Sequence, residues 1–173
     1  MSDQLAAGTG APAGDPGPAA GAGIGLRRID HVGVAVPDLD AAIDWYVRVF
    51  GMRCVHQETN HEQEVREAML AVAGGEAAPG GAYLQLLAPL RPDSPIGKFL
   101  DRHGPGLQQL AYTVADLDVA CARLRERGMR LLYDRPRRGT AGARINFVHP
   151  KDAGGVLVEL LEPAGDRSAP PAG

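Results

Sequence analysis

Four polar residues stand inside runs that are otherwise apolar and alternating. They are His31 in His31-Val-Gly-Val-Ala-Val36, Gln85 in Tyr83-Leu-Gln-Leu-Leu87, Gln109 in Gln109-Leu-Ala-Tyr-Thr-Val114, and Glu159 in Leu157-Val-Glu-Leu-Leu161. Residues at i and i+2 of a strand share a face. Each polar group therefore projects from the same face as the small or apolar residues two places away. A buried imidazole, amide or carboxylate with no partner is costly. Each residue by itself has a plain reading, a hydrogen-bonded strand histidine or a half-exposed amide. Glu159 is the least ordinary, because a carboxylate in mid-strand needs a cation or must shift its pKa. One metal ion would satisfy all four groups together.

An internal repeat brings the four into equivalent places. His31-Val-Gly-Val-Ala-Val-Pro-Asp-Leu-Asp-Ala41 matches Gln109-Leu-Ala-Tyr-Thr-Val-Ala-Asp-Leu-Asp-Val119. Both stretches start as a strand and pass through Asp-Leu-Asp into a helix, with Asp38 and Asp116 placed as N-caps. The expected helices cover Ala41–Val49 and Val119–Arg127, and Gly51 and Gly128 stop them. Strands are expected next at Arg53–Gln57 and Arg130–Tyr133, then at Val65–Ala73 and Ala143–His149. The copies close alike, Tyr83-Leu-Gln-Leu-Leu-Ala-Pro89 against Val156-Leu-Val-Glu-Leu-Leu-Glu-Pro163. Each copy then reads βαβββ, with modules at about 28–90 and 106–163. A lone copy would expose an apolar sheet face, and pairing the two buries that face and leaves a cleft between them. The expected class is α+β, two paired βαβββ modules forming a cleft-lining sheet.

Composition narrows the field further. The 173 residues carry 18 Lys and Arg against 21 Asp and Glu. A net charge of −3 is a poor match to nucleic acid, which calls for a basic surface. No apolar run is long enough to span a bilayer. Two cysteines, Cys54 and Cys121, are too few for a disulfide scaffold or a Cys-rich zinc site, and both are expected to pack in the core. Residues 1–25 are almost entirely Ala, Gly, Pro and small polar types, and 164–173 are similar. Both ends are expected to be flexible tails around a domain at 26–163. The first 25 residues hold neither an apolar h-region nor any Arg, so the expected location is the cytoplasm.

Longer stretches carry a family resemblance. The duplicated βαβββ pattern with its Asp30-His-Val-Gly-Val-Ala-Val36 start resembles the vicinal oxygen chelate superfamily. Five further segments are similar to methylmalonyl-CoA epimerases: Glu62-Gln-Glu-Val-Arg-Glu-Ala-Met-Leu70, Tyr83-Leu-Gln-Leu-Leu87, Asp93-Ser-Pro-Ile-Gly-Lys98, Tyr133-Asp-Arg-Pro-Arg-Arg-Gly139 and Phe147-Val-His-Pro-Lys-Asp152. The resemblance implies a homodimer that epimerises an acyl-CoA with a divalent metal, cobalt, manganese or magnesium. It places His31, Gln85 and Glu159 on metal ligands, Glu67 on the base that removes the α-proton, and Glu159 also on a second acid/base. At the fourth ligand position the family usually has His, where this chain has Gln109. An amide oxygen is a poorer donor than imidazole for late transition metals. Arg135, Arg137 and Arg138, with Lys151, are suited to a CoA phosphate or a substrate carboxylate. Extradiol dioxygenase chemistry wants two His and one carboxylate on iron, and one His excludes it. A metal-free binding protein of the antibiotic-sequestering kind is the alternative, kept open by Gln109 and opposed by Glu67, Gln85 and Glu159 occurring together.

Overall fold

The computed structural model of the chain describes residues 23–72 and 81–165. Most of both expected tails, 1–22 and 166–173, and the end of the third expected strand at Ala73 lie outside the described residues.

The first module runs β1 (Leu26–Ala35), α1 (Leu39–Phe50), β2 (Arg53–Asn60), β3 (Val65–Ala71) and β4 (Tyr83–Pro89). A helix α2 (Pro95–His103) links it to the second, which runs β5 (Gly106–Val114), α3 (Leu117–Glu126), β6 (Arg137–Arg138), β7 (Arg144–Val148) and β8 (Val158–Glu162). The described strands form one eight-stranded sheet in the order β2-β3-β4-β1-β5-β8-β7-β6. Its two halves mirror each other: β1 pairs parallel with β4, β5 pairs parallel with β8, and β1 and β5 meet antiparallel in the middle.

The caps fall where the sequence puts them. Asp38 accepts from Ala41 N at 3.0 Å and Asp116 from Val119 N at 2.9 Å, each satisfying an orphan helix donor. Gly51 closes α1 at φ 65°, a left-handed position that suits glycine. Alternation then divides the strands. On one face Val36, Ala68, Leu70, Leu86 and Ala88 pack under Leu39 and Ile43 of α1, and Val114, Val148 and Leu160 pack under Leu117, Cys121 and Leu124 of α3. The other face lines the cleft. There Ala35, Val65 and Leu87 are covered by Ile96, Phe99 and Leu100, so α2 roofs one end of it.

The structure differs from the sequence reading at three places. The strand at Arg130–Tyr133 shrinks to one bridge, Leu131 with Val148. Asp152 Oδ2 captures Arg130 N at 2.9 Å, and the Asn146 side chain takes both Tyr133 N and Tyr133 O. Pro136 then interrupts the run, and the two-residue β6 pairs with β7 instead. Helix α2 is the second difference. Its signal was present: Ser94 caps Gly97 N at 3.1 Å and Pro95 opens the first turn. The third is Cys54, which is exposed on the edge strand β2, whereas Cys121 is buried as expected. Among the described residues no helix is long and apolar enough to cross a membrane.

Candidate active site

His31, Gln85, Gln109 and Glu159 converge on the cleft face, all of them 9% exposed or less. The register does this. His31 lies opposite Tyr83 and Ala111, Gly33 lies opposite Gln85 and Gln109, and Ala111 lies opposite Glu159. His31 Nε2 is 3.2 Å from Glu159 Oε2. Gln109 Nε2 is 3.3 Å from His31 Nε2 and 3.2 Å from Gln85 Oε1, and it donates to Glu159 Oε2. Gly33 makes room for this. A Cβ there would stand 2.5 Å from Gln109 Cγ, so the Gln109 side chain crosses directly over a residue that has none.

The neighbours give the cluster its charge. Asp30 Oδ1 holds His31 Nδ1 at 3.0 Å, and Arg28 holds Asp30 Oδ2 at 2.8 Å. Burial works to lower the His31 pKa, but hydrogen bonds and charge from Asp30 and Glu159 outweigh it and raise the imidazole to about 9. Glu67 projects from β3 beside the cluster and is 3% exposed. Gln85 Nε2 donates to Glu67 Oε2 at 2.9 Å and to Thr140 Oγ1 at 2.9 Å. Burial, helped by the carboxylates of Glu58 and Glu159 and opposed by Thr140, pushes Glu67 up to about 8. Its Oε1 is buried without a hydrogen-bond partner.

The four-residue cluster fits a metal ion. Two ligands each about 2.1 Å from one ion, at angles of about 90–110°, lie roughly 3.0–3.4 Å apart, and His31 Nε2 and Glu159 Oε2 stand at that spacing, 3.2 Å. With Nδ1 held by Asp30, His31 turns Nε2 toward the cluster, the arrangement that outer carboxylates impose on metal-binding imidazoles. Among the described residues no group of three His, Cys, Asp or Glu gathers around one point. Two of the four donors would therefore be amide oxygens, a set suited to a hard cation. Gln109 presents its nitrogen to Glu159, so ligation calls for a half-turn of its amide.

A cavity of about 430 Å³ opens over Glu67, Gln85, Gln109 and Glu159, with Tyr133 and Arg137 on its wall. The Arg137 guanidinium lies 4.0 Å above the Tyr133 ring centroid. A second cavity of about 470 Å³ reaches His31, Glu159 and Thr140 from the side of Arg28 and His56. Arg135, Arg138 and Lys151 are exposed and line neither.

Residues 30–147 match the model of the Glyoxalase/Bleomycin resistance protein/Dioxygenase superfamily. Methylmalonyl-CoA epimerase from Mycobacterium tuberculosis is 55% identical, over 84% of this chain and 93% of that one, with a TM-score of 0.76. The chain belongs to the methylmalonyl-CoA epimerase family. A variant of the Streptomyces coelicolor methylmalonyl-CoA epimerase, in complex with 2-nitronate-propionyl-CoA, is 48% identical over 81% of this chain and 99% of that one, with a TM-score of 0.76. The mitochondrial methylmalonyl-CoA epimerase of Bos taurus is 35% identical over 83% of this chain and 78% of its own length.

Within this epimerase fold, three neighbours of the site went unread in the sequence. Thr140 sits in a 3-10 turn, Thr140–Gly142, that no strand pattern announces. Glu58 stands directly opposite Glu67 across the β2–β3 pair. His56 is 2.7 Å from Glu58 Oε2 and lines the second cavity. Period-2 alternation along β2 puts His56 and Glu58 on one face and was the available signal.

Proposed function

We propose that the protein interconverts the (2R) and (2S) forms of methylmalonyl-CoA, or of a close acyl-CoA relative, by removing and returning the α-proton. The observation that carries this reading is Glu67: a buried carboxyl, raised toward neutrality, on the wall of a cavity it shares with the candidate cation site. A general base works best with a pKa near the operating pH, and burial supplies that here. The α-carbon between a thioester and a carboxylate is acidic enough for such a base once the charge developing on the oxygens is stabilised.

A divalent cation held by His31, Gln85, Gln109 and Glu159 would supply that positive charge. The chain's own groups do the rest. Glu67 takes the proton on one side. Glu159 lies beyond the Gln85–Gln109 amide pair from Glu67, so it can serve the opposite side as the second acid/base. Arg137, braced on Tyr133, offers its guanidinium to a substrate anion. Arg135, Arg138 and Lys151, outside the cavities, suit the phosphates of the CoA arm. Helix α2 covers one end of the cleft and limits water there. Solvent-deuterium exchange at the α-carbon of methylmalonyl-CoA tests the reading, and failure to exchange with any divalent metal would remove it.

A further inference from the structure

Strand β6 and strand β2 lie at opposite edges of the sheet, yet the sheet curls until β6 and the turn after it touch the first module at three points. Gln63 Nε2 donates to Arg138 O at 3.2 Å, Ala141 N donates to Glu58 Oε2 at 3.3 Å, and Gln85 Nε2 donates to Thr140 Oγ1 at 2.9 Å. The turn is tied at its base, where Gly139 N donates to Ala143 O at 2.8 Å. Ala141 within it has φ 52° and ψ 27°, a left-handed conformation unfavourable for a residue with a Cβ. Such strain persists only where the surroundings hold it. What they hold here is Thr140, which borders both cavities.

A glutamine amide has two unlike ends, and each end of Gln85 has a different task. Its nitrogen has two hydrogens, one spent on Glu67 Oε2 and the other on Thr140 Oγ1, each at 2.9 Å. Its oxygen is thereby left for the cluster, where Gln109 Nε2 meets it at 3.2 Å. Turned over, the amide would set its oxygen against the Glu67 carboxyl and its nitrogen against the other donors of the cluster. Of the two contacts on the nitrogen, only Thr140 comes from the second module.

We propose that Thr140 is a positioning residue: its hydroxyl, accepting from Gln85 Nε2 alongside the Glu67 carboxylate, pins the Gln85 amide in place, so that Gln85 holds Glu67 with its nitrogen and keeps its oxygen for the His31–Gln109–Glu159 cluster. The turn from one module thus sets the geometry of the base carried by the other. This inference rests on the reading of Glu67 as the base.

Thr140→Val keeps the shape and removes the hydroxyl, and Thr140→Ser keeps the hydroxyl. Thr140→Ala serves as a second hydroxyl-free variant in case the valine variant folds poorly. Misplacing a reacting group by about 1 Å costs on the order of a hundredfold. The expected result is a kcat lowered about 10–100-fold in the Val and Ala variants with KM within about threefold, and near-wild-type kcat in the Ser variant. In parallel, the two side-chain amide proton resonances of Gln85 are followed by NMR. At least one should move in the hydroxyl-free variants and stay in place in Thr140→Ser. Wild-type kcat in Thr140→Val and Thr140→Ala would overturn the proposal, as would a Ser variant as slow as the Val one. Glu67→Gln is assayed alongside. If it still exchanges the α-proton, the base reading itself has failed. If it is inactive while Thr140→Val and Thr140→Ala work normally, only the role of Thr140 has failed.

Discussion

Glu67 and Gln85 are diagonal neighbours on the cleft face of β3 and β4, joined by a 2.9 Å hydrogen bond from Gln85 Nε2 to Glu67 Oε2. One oxygen of the carboxyl is held and the other, Oε1, is buried with no partner. The same Gln85 side chain turns its oxygen to Gln109. A single amide therefore spans the distance between the candidate base and the candidate cation site.

Replacing Glu67 by Gln preserves the shape and removes the ability to take a proton. Glu67→Gln should lower α-proton exchange by about 10²–10⁴-fold and leave bound metal unchanged, since Glu67 is not among the proposed ligands. Metal analysis and deuterium exchange on the same sample check both halves.

Gln109 stands where the family resemblance implies a histidine. Gln109→His should tighten cobalt binding, because imidazole is the better donor for late transition metals. Titration calorimetry on stripped protein reads it. Unchanged cobalt affinity would show that position 109 does not ligate.

Gly33 lies under the Gln109 side chain, and a Cβ would sit 2.5 Å from Gln109 Cγ and 3.3 Å from Leu87 Cδ1. Overpacking of this kind costs about 1–3 kcal/mol. Gly33→Ala should lower the urea midpoint accordingly and weaken metal binding by displacing Gln109. A variant with both properties of the wild type would mean that the Gln109 side chain moves aside freely.

Burial raises Glu67 from 4.5 to about 8 in the folded chain. Between those values the folded protein keeps a proton that the unfolded chain has lost. The stability tied to the neutral Glu67 is complete below about 4.5 and is lost as the pH rises through about 8. Glu67→Gln stays neutral throughout, so in stripped protein its stability should gain on wild type from pH 5 to pH 9. Urea unfolding at both values measures it, and parallel pH dependences would contradict the burial-raised carboxyl.

Much of this was legible in the sequence because it rests on local chemistry. Asp38 and Asp116 announced the helices, and the internal repeat put His31, Gln85, Gln109 and Glu159 at equivalent strand positions before any contact was known. What escaped depends on contacts between distant parts. Tyr133 gives up its strand because Asn146, thirteen residues on, takes its backbone groups. Thr140 reaches Gln85 only because the sheet curls until its edges approach, which no residue near position 140 encodes. Glu58 comes opposite Glu67 only through the β2–β3 register, which neighbouring residues do not spell out. Helix α2 is a different case: Ser94-Pro95 was a readable start signal.

The central claim is that Glu67 and the four-residue cluster form a working proton-abstracting site. Its most direct test is incorporation of solvent deuterium at the α-carbon of methylmalonyl-CoA, by stripped protein and after addition of cobalt, manganese or magnesium. Exchange that appears with a divalent metal and vanishes in Glu67→Gln is the predicted result. No exchange with any of the three metals, or exchange undiminished in Glu67→Gln, would contradict it.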